Sequence, residues 1–218
     1  MKDKGIFISL EGGEGSGKST QIQRLQRWLS DAYPARNIIT TREPGGVSSA
    51  EDIRNLLVQG ATDRLKPKTD ALLMLASRVE HVERLILPEL QKDAIILCDR
   101  FSDSSFVYQT ITGGYTEQEL RDLHLLSIGD LVPHKTFLMD LPAEDGLARA
   151  NQRPSQAEAR FEAKGLAYHK KVRDRYLALA KEAPSRFMII DALQTEDEIF
   201  AVLQDEVQKL ISSQQTTP

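Results

Sequence analysis

The stretch GGEGSGKST, residues 12–20, follows directly on the apolar run IFISL, residues 6–10. Four glycines within residues 12–17 make a poor helix and a poor strand, because glycine gives up more backbone freedom on ordering than any other residue. Such a segment keeps one conformation when a ligand fills it. Gly12, Gly17, Lys18 and Ser19 stand at the spacing G-x-x-x-x-G-K-[ST], with a strand pattern before and a helical pattern after, the context in which backbone amides wrap a polyphosphate. On this reading Gly12, Gly13, Glu14, Gly15, Ser16 and Gly17 form the cradle, with Thr20 just beyond it. The following helix adds the positive end of its dipole, Lys18 reaches the β- and γ-phosphates, and Ser19 places its hydroxyl on magnesium. The alternative is a glycine-rich turn with a solvated lysine; strand, spacing and helix together disfavour it.

Working outward, four more apolar runs read as strands: NIITT (37–41), AIILC (94–98), KTFLM (135–139) and RFMII (186–190). Little alternation within them suits strands buried on both faces. Helical patterns lie between them, so a five-stranded parallel sheet flanked by helices is expected, a three-layer α/β fold of the P-loop NTPase type. Ser48, Thr116 and Thr195 each precede a glutamate by three residues, a capping-box signature. Ile199, Val202, Leu203, Val207 and Leu210 give the last helix one apolar stripe. A helical pattern over 69–91 contains Pro88, where a kink or an end is expected. Residues 1–213 read as one domain, 151–165 as a polar lid and 214–218 as a disordered tail.

Composition narrows the class. With 218 residues, 40% hydrophobic and 28% charged, the chain can bury a full core, and no apolar run approaches the roughly 20 residues that cross a bilayer. The single cysteine, Cys98, excludes an internal disulfide. With no apolar leader visible, a cytoplasmic protein is expected. A formal net charge of −4 argues against general nucleic-acid binding. Any cationic site must be local.

One such site follows the strand AIILC, in DRFSDSSFVYQ, residues 99–109. Asp99 and Arg100 leave the C-terminal end of that strand, the edge where open α/β sheets bind ligands. Asp99 is placed to hold magnesium, directly or through water, or to brace an arginine, and Arg100 to fork a phosphate. Asp140 and Asp191 also end strands and read as no more than caps or ion pairs. His81, His124, His134 and His169 show no paired metal spacing and read as structural or surface residues. The N-K-x-D segment usual in guanine-reading GTPases is missing.

The run of GGEGSGKST, TREPGG (41–46), LLMLASR (72–78) and DRFSDSSFVYQ, in this order and at about this spacing, resembles bacterial thymidylate kinases over nearly the whole chain. The resemblance implies a nucleoside monophosphate kinase fold, ATP and dTMP as substrates with magnesium, dTDP as product, and a homodimer, with no nucleic-acid or membrane partner. Position by position, Arg100 and Arg54 would bind the phosphate of dTMP and Arg78 the thymine edge. Ser105 and Gln109 would face the base, and Tyr108 would lie against the sugar. Glu14 and Glu43 would stand near the acceptor's sugar and phosphate. Met74 occupies a position where an aromatic ring commonly stacks on thymine. In the lid, Ala159 replaces the usual aspartate before Arg160.

The implied reaction joins two anions. ATP carries about four negative charges and dTMP about two, and one Mg²⁺ cancels two. The acceptor phosphate is already ionised near pH 7 and needs no general base. Lys18, Arg100, Arg54 and the lid arginines Arg149, Arg153 and Arg160 supply the balancing charge, with Arg153 expected at the transferring group and Lys18, Arg100, Arg153 and Asp99 as the catalytic set. Another nucleotide or deoxynucleoside kinase, or a non-catalytic ATP-controlled binding module, are the alternative readings.

Overall fold

A computed structural model of the protein describes residues 5–59, 64–150 and 164–215. Strands β1 (Ile6–Glu11), β2 (Ile38–Arg42), β3 (Ile95–Asp99), β4 (Lys135–Asp140) and β5 (Phe187–Asp191) form one parallel sheet in the order β2-β3-β1-β4-β5. The helices among the described residues are α1 (Lys18–Ala32), α2 (Ser48–Val58), α3 (Pro67–His81), α4 (Leu87–Gln91), α5 (Ser102–Thr112), α6 (Glu117–Ile128), α7 (Ala143–Ala150), α8 (Leu166–Glu182) and α9 (Glu196–Gln215). Every strand runs one residue past its apolar run, onto Glu11, Arg42, Asp99, Asp140 or Asp191. Backbone pairing continues there because it depends on the ladder and not on side-chain polarity. The sheet's C-terminal edge is thereby lined with charge.

Alternate residues of β1 enter opposite layers, which is why its sequence shows no alternation. Ile6, Ile8 and Leu10 pack with Leu25 and Leu29 of α1 and Leu203 and Val207 of α9. Phe7 faces Val82, Ile86 and Leu90 on the other side, where Leu138 of β4 meets Val107, Val172 and Tyr176 in an adjoining cluster. Burial on both faces does not extend to the edge strands. β2 is only partly covered, and Ile189 of β5 is 48% exposed, because each edge strand has a neighbour on one side alone.

Local expectations are met in part. Thr116 and Thr195 form reciprocal bonds with Glu119 and Glu198, but Ser48 already lies inside α2, whose N-cap is Val47. Glu51 instead accepts from the Gly46 amide at 3.0 Å. At Pro88 the helix does not end: a π-helical turn, Val82–Ile86, joins α3 to α4, and a widened turn is one way to absorb a backbone position that cannot donate. The last helix continues through Gln215, past the boundary expected at 213. In its stripe Val202 is the outlier, 36% exposed, while Ile211 takes a buried place.

Candidate active site

The glycine-rich loop links β1 to α1. Gly12, Gly15 and Gly17 have φ of 136°, 68° and 88°, and a Cβ at Gly12 or Gly15 would stand 2.5 Å from the Met139 carbonyl oxygen or 2.3 Å from that of Gly146. Steric contact and backbone angle thus both demand glycine. Helix α1 begins at Lys18 without a side-chain cap, so its first amides are directed at whatever the loop holds. The Lys18 Nζ donates to the carbonyls of Gly12 and Gly13 at 3.2 and 2.9 Å and to Ser16 Oγ at 3.3 Å. Ser19 Oγ donates to Asp99 Oδ2 at 2.8 Å. A hydroxyl and a carboxylate so close suit a hard divalent cation that keeps most of its positions for water and phosphate.

Arg100 stands in the turn between β3 and α5 with φ of 68°, a left-handed conformation that costs a non-glycine residue on the order of 1 kcal/mol. Its amide donates to the Leu10 carbonyl at 3.0 Å, and the next amide, Phe101, donates to Glu11 Oε1 at 2.7 Å. The guanidinium donates to the Gly12 carbonyl at 3.0 Å, to Tyr176 Oη at 3.2 Å and to Glu14 Oε1 at 2.8 Å. It also lies over the Tyr108 ring, 5.3 Å from the centroid.

Glu14, Glu43, Arg54, Met74, Arg78, Arg100, Ser105, Tyr108 and Gln109, the nine residues expected on the acceptor side, all line one cleft. Its floor is fixed by charge. Arg78, 4% exposed, donates through Nε to Glu43 Oε2 at 2.7 Å, and also to Ser105 Oγ at 3.0 Å and the Phe101 carbonyl at 3.2 Å. The other Glu43 oxygen lies 3.0 Å from His81 Nδ1. Burial opposes ionisation of Glu43 most strongly, but the Arg78 charge and the bonds from His81 and Arg78 outweigh it and hold the carboxyl below its usual range. At the rim Arg54 donates to the Pro44 carbonyl at 2.9 Å, and Gln109 Nε2 to Asp70 Oδ1 at 3.3 Å.

A second cleft opens beside the loop, lined by Gly15, Ser16, Gly17, Thr20, Arg149 and Thr195 among others. Arg149 donates to the Ala192 carbonyl at 3.0 Å across it. Sequence reading found no such cleft, because its far wall, the segment joining β5 to α9, carries no motif. Arg153 and Arg160, with the rest of 151–163, lie outside the described residues. Asp140 forms a two-bond pair with Arg173 at 2.7 and 2.9 Å, and Asp191 accepts from the Leu193 amide at 2.9 Å; both serve local structure.

Four residues around the site escaped sequence reading: Glu11, His81, Ser104 and Tyr176. Glu11 left a trace as a charge at the end of an apolar strand, and Ser104 lies within the 99–109 segment. Tyr176 left none, since α8 brings it to Glu11 across 165 residues.

Comparison with known proteins places these features in a family. A family model described as "Thymidylate kinase" matches residues 10–202. The chain is 48% identical to the thymidylate kinase of Caulobacter vibrioides, over 94% of this chain and 96% of that one. It is 40% identical to the thymidylate kinase of Nitratidesulfovibrio vulgaris, over 95% and 98%. The crystal structure of thymidylate kinase from Ehrlichia chaffeensis superposes with a TM-score of 0.72 at 32% identity, covering 91% of this chain and 98% of that one.

Proposed function

Because the chain belongs to the thymidylate kinase family, we propose that it transfers the terminal phosphoryl group of ATP to dTMP, giving ADP and dTDP. One observation carries the reading. Arg100, which lines the cleft that holds Arg78 and Tyr108, donates directly to the Gly12 carbonyl of the phosphate loop, so a cation for the acceptor phosphate stands against the cradle for the donor. Two anions seated on either side meet end to end, as in-line transfer requires.

On this reading the loop amides and Lys18 take the donor phosphates, and the cleft beside Arg149 takes the donor's base. Arg100 and Arg54 take the acceptor phosphate, with Glu14 aiming the Arg100 guanidinium. The Glu43–Arg78–His81 group keeps Arg78 and Ser105 in fixed positions against the base. Met74 packs on the ring face and Tyr108 on the sugar, with Gln109 completing the base's surroundings. Ser19 and Asp99 would hold Mg²⁺, which when bound offsets charge on the donor phosphates. Arg153, with Arg160, is the proposed lid cation for the transferring group. No residue needs to take a proton from the acceptor, whose phosphate is already ionised.

We also propose a homodimer. Leu72 of α3, Leu125 and Leu126 of α6 and Val132 are 46%, 60%, 84% and 50% exposed, and α3 packs beside α6, so the apolar groups lie on neighbouring elements. A second copy of the chain is the proposed cover. A cytoplasmic location rests only on composition. No helix among the described residues is long and apolar enough to cross a membrane.

The activity is tested by coupled measurement of ADP release with dTMP, dUMP, CMP, UMP and thymidine offered separately. dTMP should be the fastest acceptor, and release insensitive to every monophosphate would end the proposal. In the same assay Arg153→Ala should lower turnover while both KM values stay within about twofold.

A further inference from the structure

Glu11 ends the central strand, is fully buried, and plays no part in the chemistry above. Three donors converge on its two oxygens: the Phe101 amide at 2.7 Å, Ser104 Oγ at 2.7 Å and Tyr176 Oη at 2.9 Å. The same two hydroxyls are acceptors for Arg100, whose guanidinium lies 3.2 Å from Tyr176 Oη and 3.5 Å from Ser104 Oγ. The hydroxyls are 2.8 Å apart.

A hydroxyl has one proton to give. When Ser104 and Tyr176 spend theirs on Glu11, their lone pairs are left facing Arg100. Without a carboxylate to receive the protons, the two hydroxyls bond to each other or turn a proton toward the guanidinium, and Arg100 loses an anchor. The Phe101 amide adds a second constraint, because it closes the left-handed turn in which Arg100 sits.

We propose that Glu11 is a positioning residue for the acceptor phosphate, acting through Ser104 and Tyr176 to hold the Arg100 side chain and through the Phe101 amide to hold its turn. This rests on the assignment of Arg100 to the acceptor phosphate. It predicts an asymmetric defect, because the three donors to Glu11 bear on Arg100 and its turn, whereas Lys18 meets Arg100 at the Gly12 carbonyl.

Three variants, Glu11→Gln, Tyr176→Phe and Arg100→Ala, are compared with the parent by steady-state kinetics in both substrates and by thermal unfolding at pH 8. Glu11→Gln should raise the KM for dTMP roughly tenfold, the scale of one hydrogen bond involving a charged group. Its KM for ATP should stay within about twofold and its Tm should not fall. Tyr176→Phe keeps the buried ring and should show the same asymmetry, more weakly. Equal rises in both KM values with a lowered Tm in Glu11→Gln would mean a merely structural role and overturn the proposal. So would an unchanged dTMP KM in Glu11→Gln and Tyr176→Phe while Arg100→Ala is impaired. If Arg100→Ala itself keeps the parent's KM for dTMP, the assignment of Arg100 fails, and the proposal with it.

Discussion

At the scale of single residues, two buried carboxylates respond to pH in opposite ways. Burial is the main cause that raises Glu11 from 4.5 to about 7, with the Asp103 charge adding to it and Arg100, Ser104 and the Phe101 amide opposing it. The folded protein therefore binds this proton more tightly than the unfolded chain does. Ionising Glu11 inside the fold removes stability as pH rises between about 4.5 and 7, by about 3 kcal/mol at most. Glu43 is held low, so its stabilising effect is present above its unfolded value and is lost as pH falls through its folded one. Glu11→Gln cannot ionise, so its Tm measured against the parent should climb from pH 5 to pH 8. A difference flat over that range would contradict the environment described for Glu11.

At the scale of elements, the phosphate loop, the five strands and the Asp99–Arg100 pair were legible because each depends on a local run: a spacing, an apolar stretch, a charge at a strand's end; the other residues of the Arg100 cleft were named only through the resemblance to thymidylate kinases. What was not legible depended on neighbours. The edge position of β2 and β5 is a fact of topology, and a five-residue apolar run reads alike at centre and edge. The three capping-box patterns look equivalent in sequence, yet Ser48 is displaced because Glu51 is taken by the Gly46 amide and by Arg42. Thr116→Ala and Thr195→Ala should each cost about 1 kcal/mol in chemical denaturation, and Ser48→Ala less than about half of that. Equal costs at all three would mean that Ser48 caps in solution. The Glu11–Tyr176 contact spans most of the chain, and no periodicity or motif announces it.

At the scale of the whole molecule, the sheet order puts β1 in the middle, with β3 and β4 on its sides. The phosphate loop leaves β1 and the Arg100 turn leaves β3, so the two features that the proposed function assigns to donor and acceptor emerge side by side from the best-buried part of the sheet. The exposed leucines lie instead on flanking helices. Sedimentation should find a species of two chains, and Leu126→Glu should shift it toward one; a parent that sediments as a single chain would refute the dimer.

Lys18 bears on what the loop admits. Its ammonium lies against three oxygens of its own loop, so an anion drawing the lysine to itself competes with those oxygens. A chain of linked phosphates can engage the lysine and the amides at once. The loop thus favours a visitor in proportion to how many of its places are filled together, and a polyphosphate fills more of them than a lone anion does.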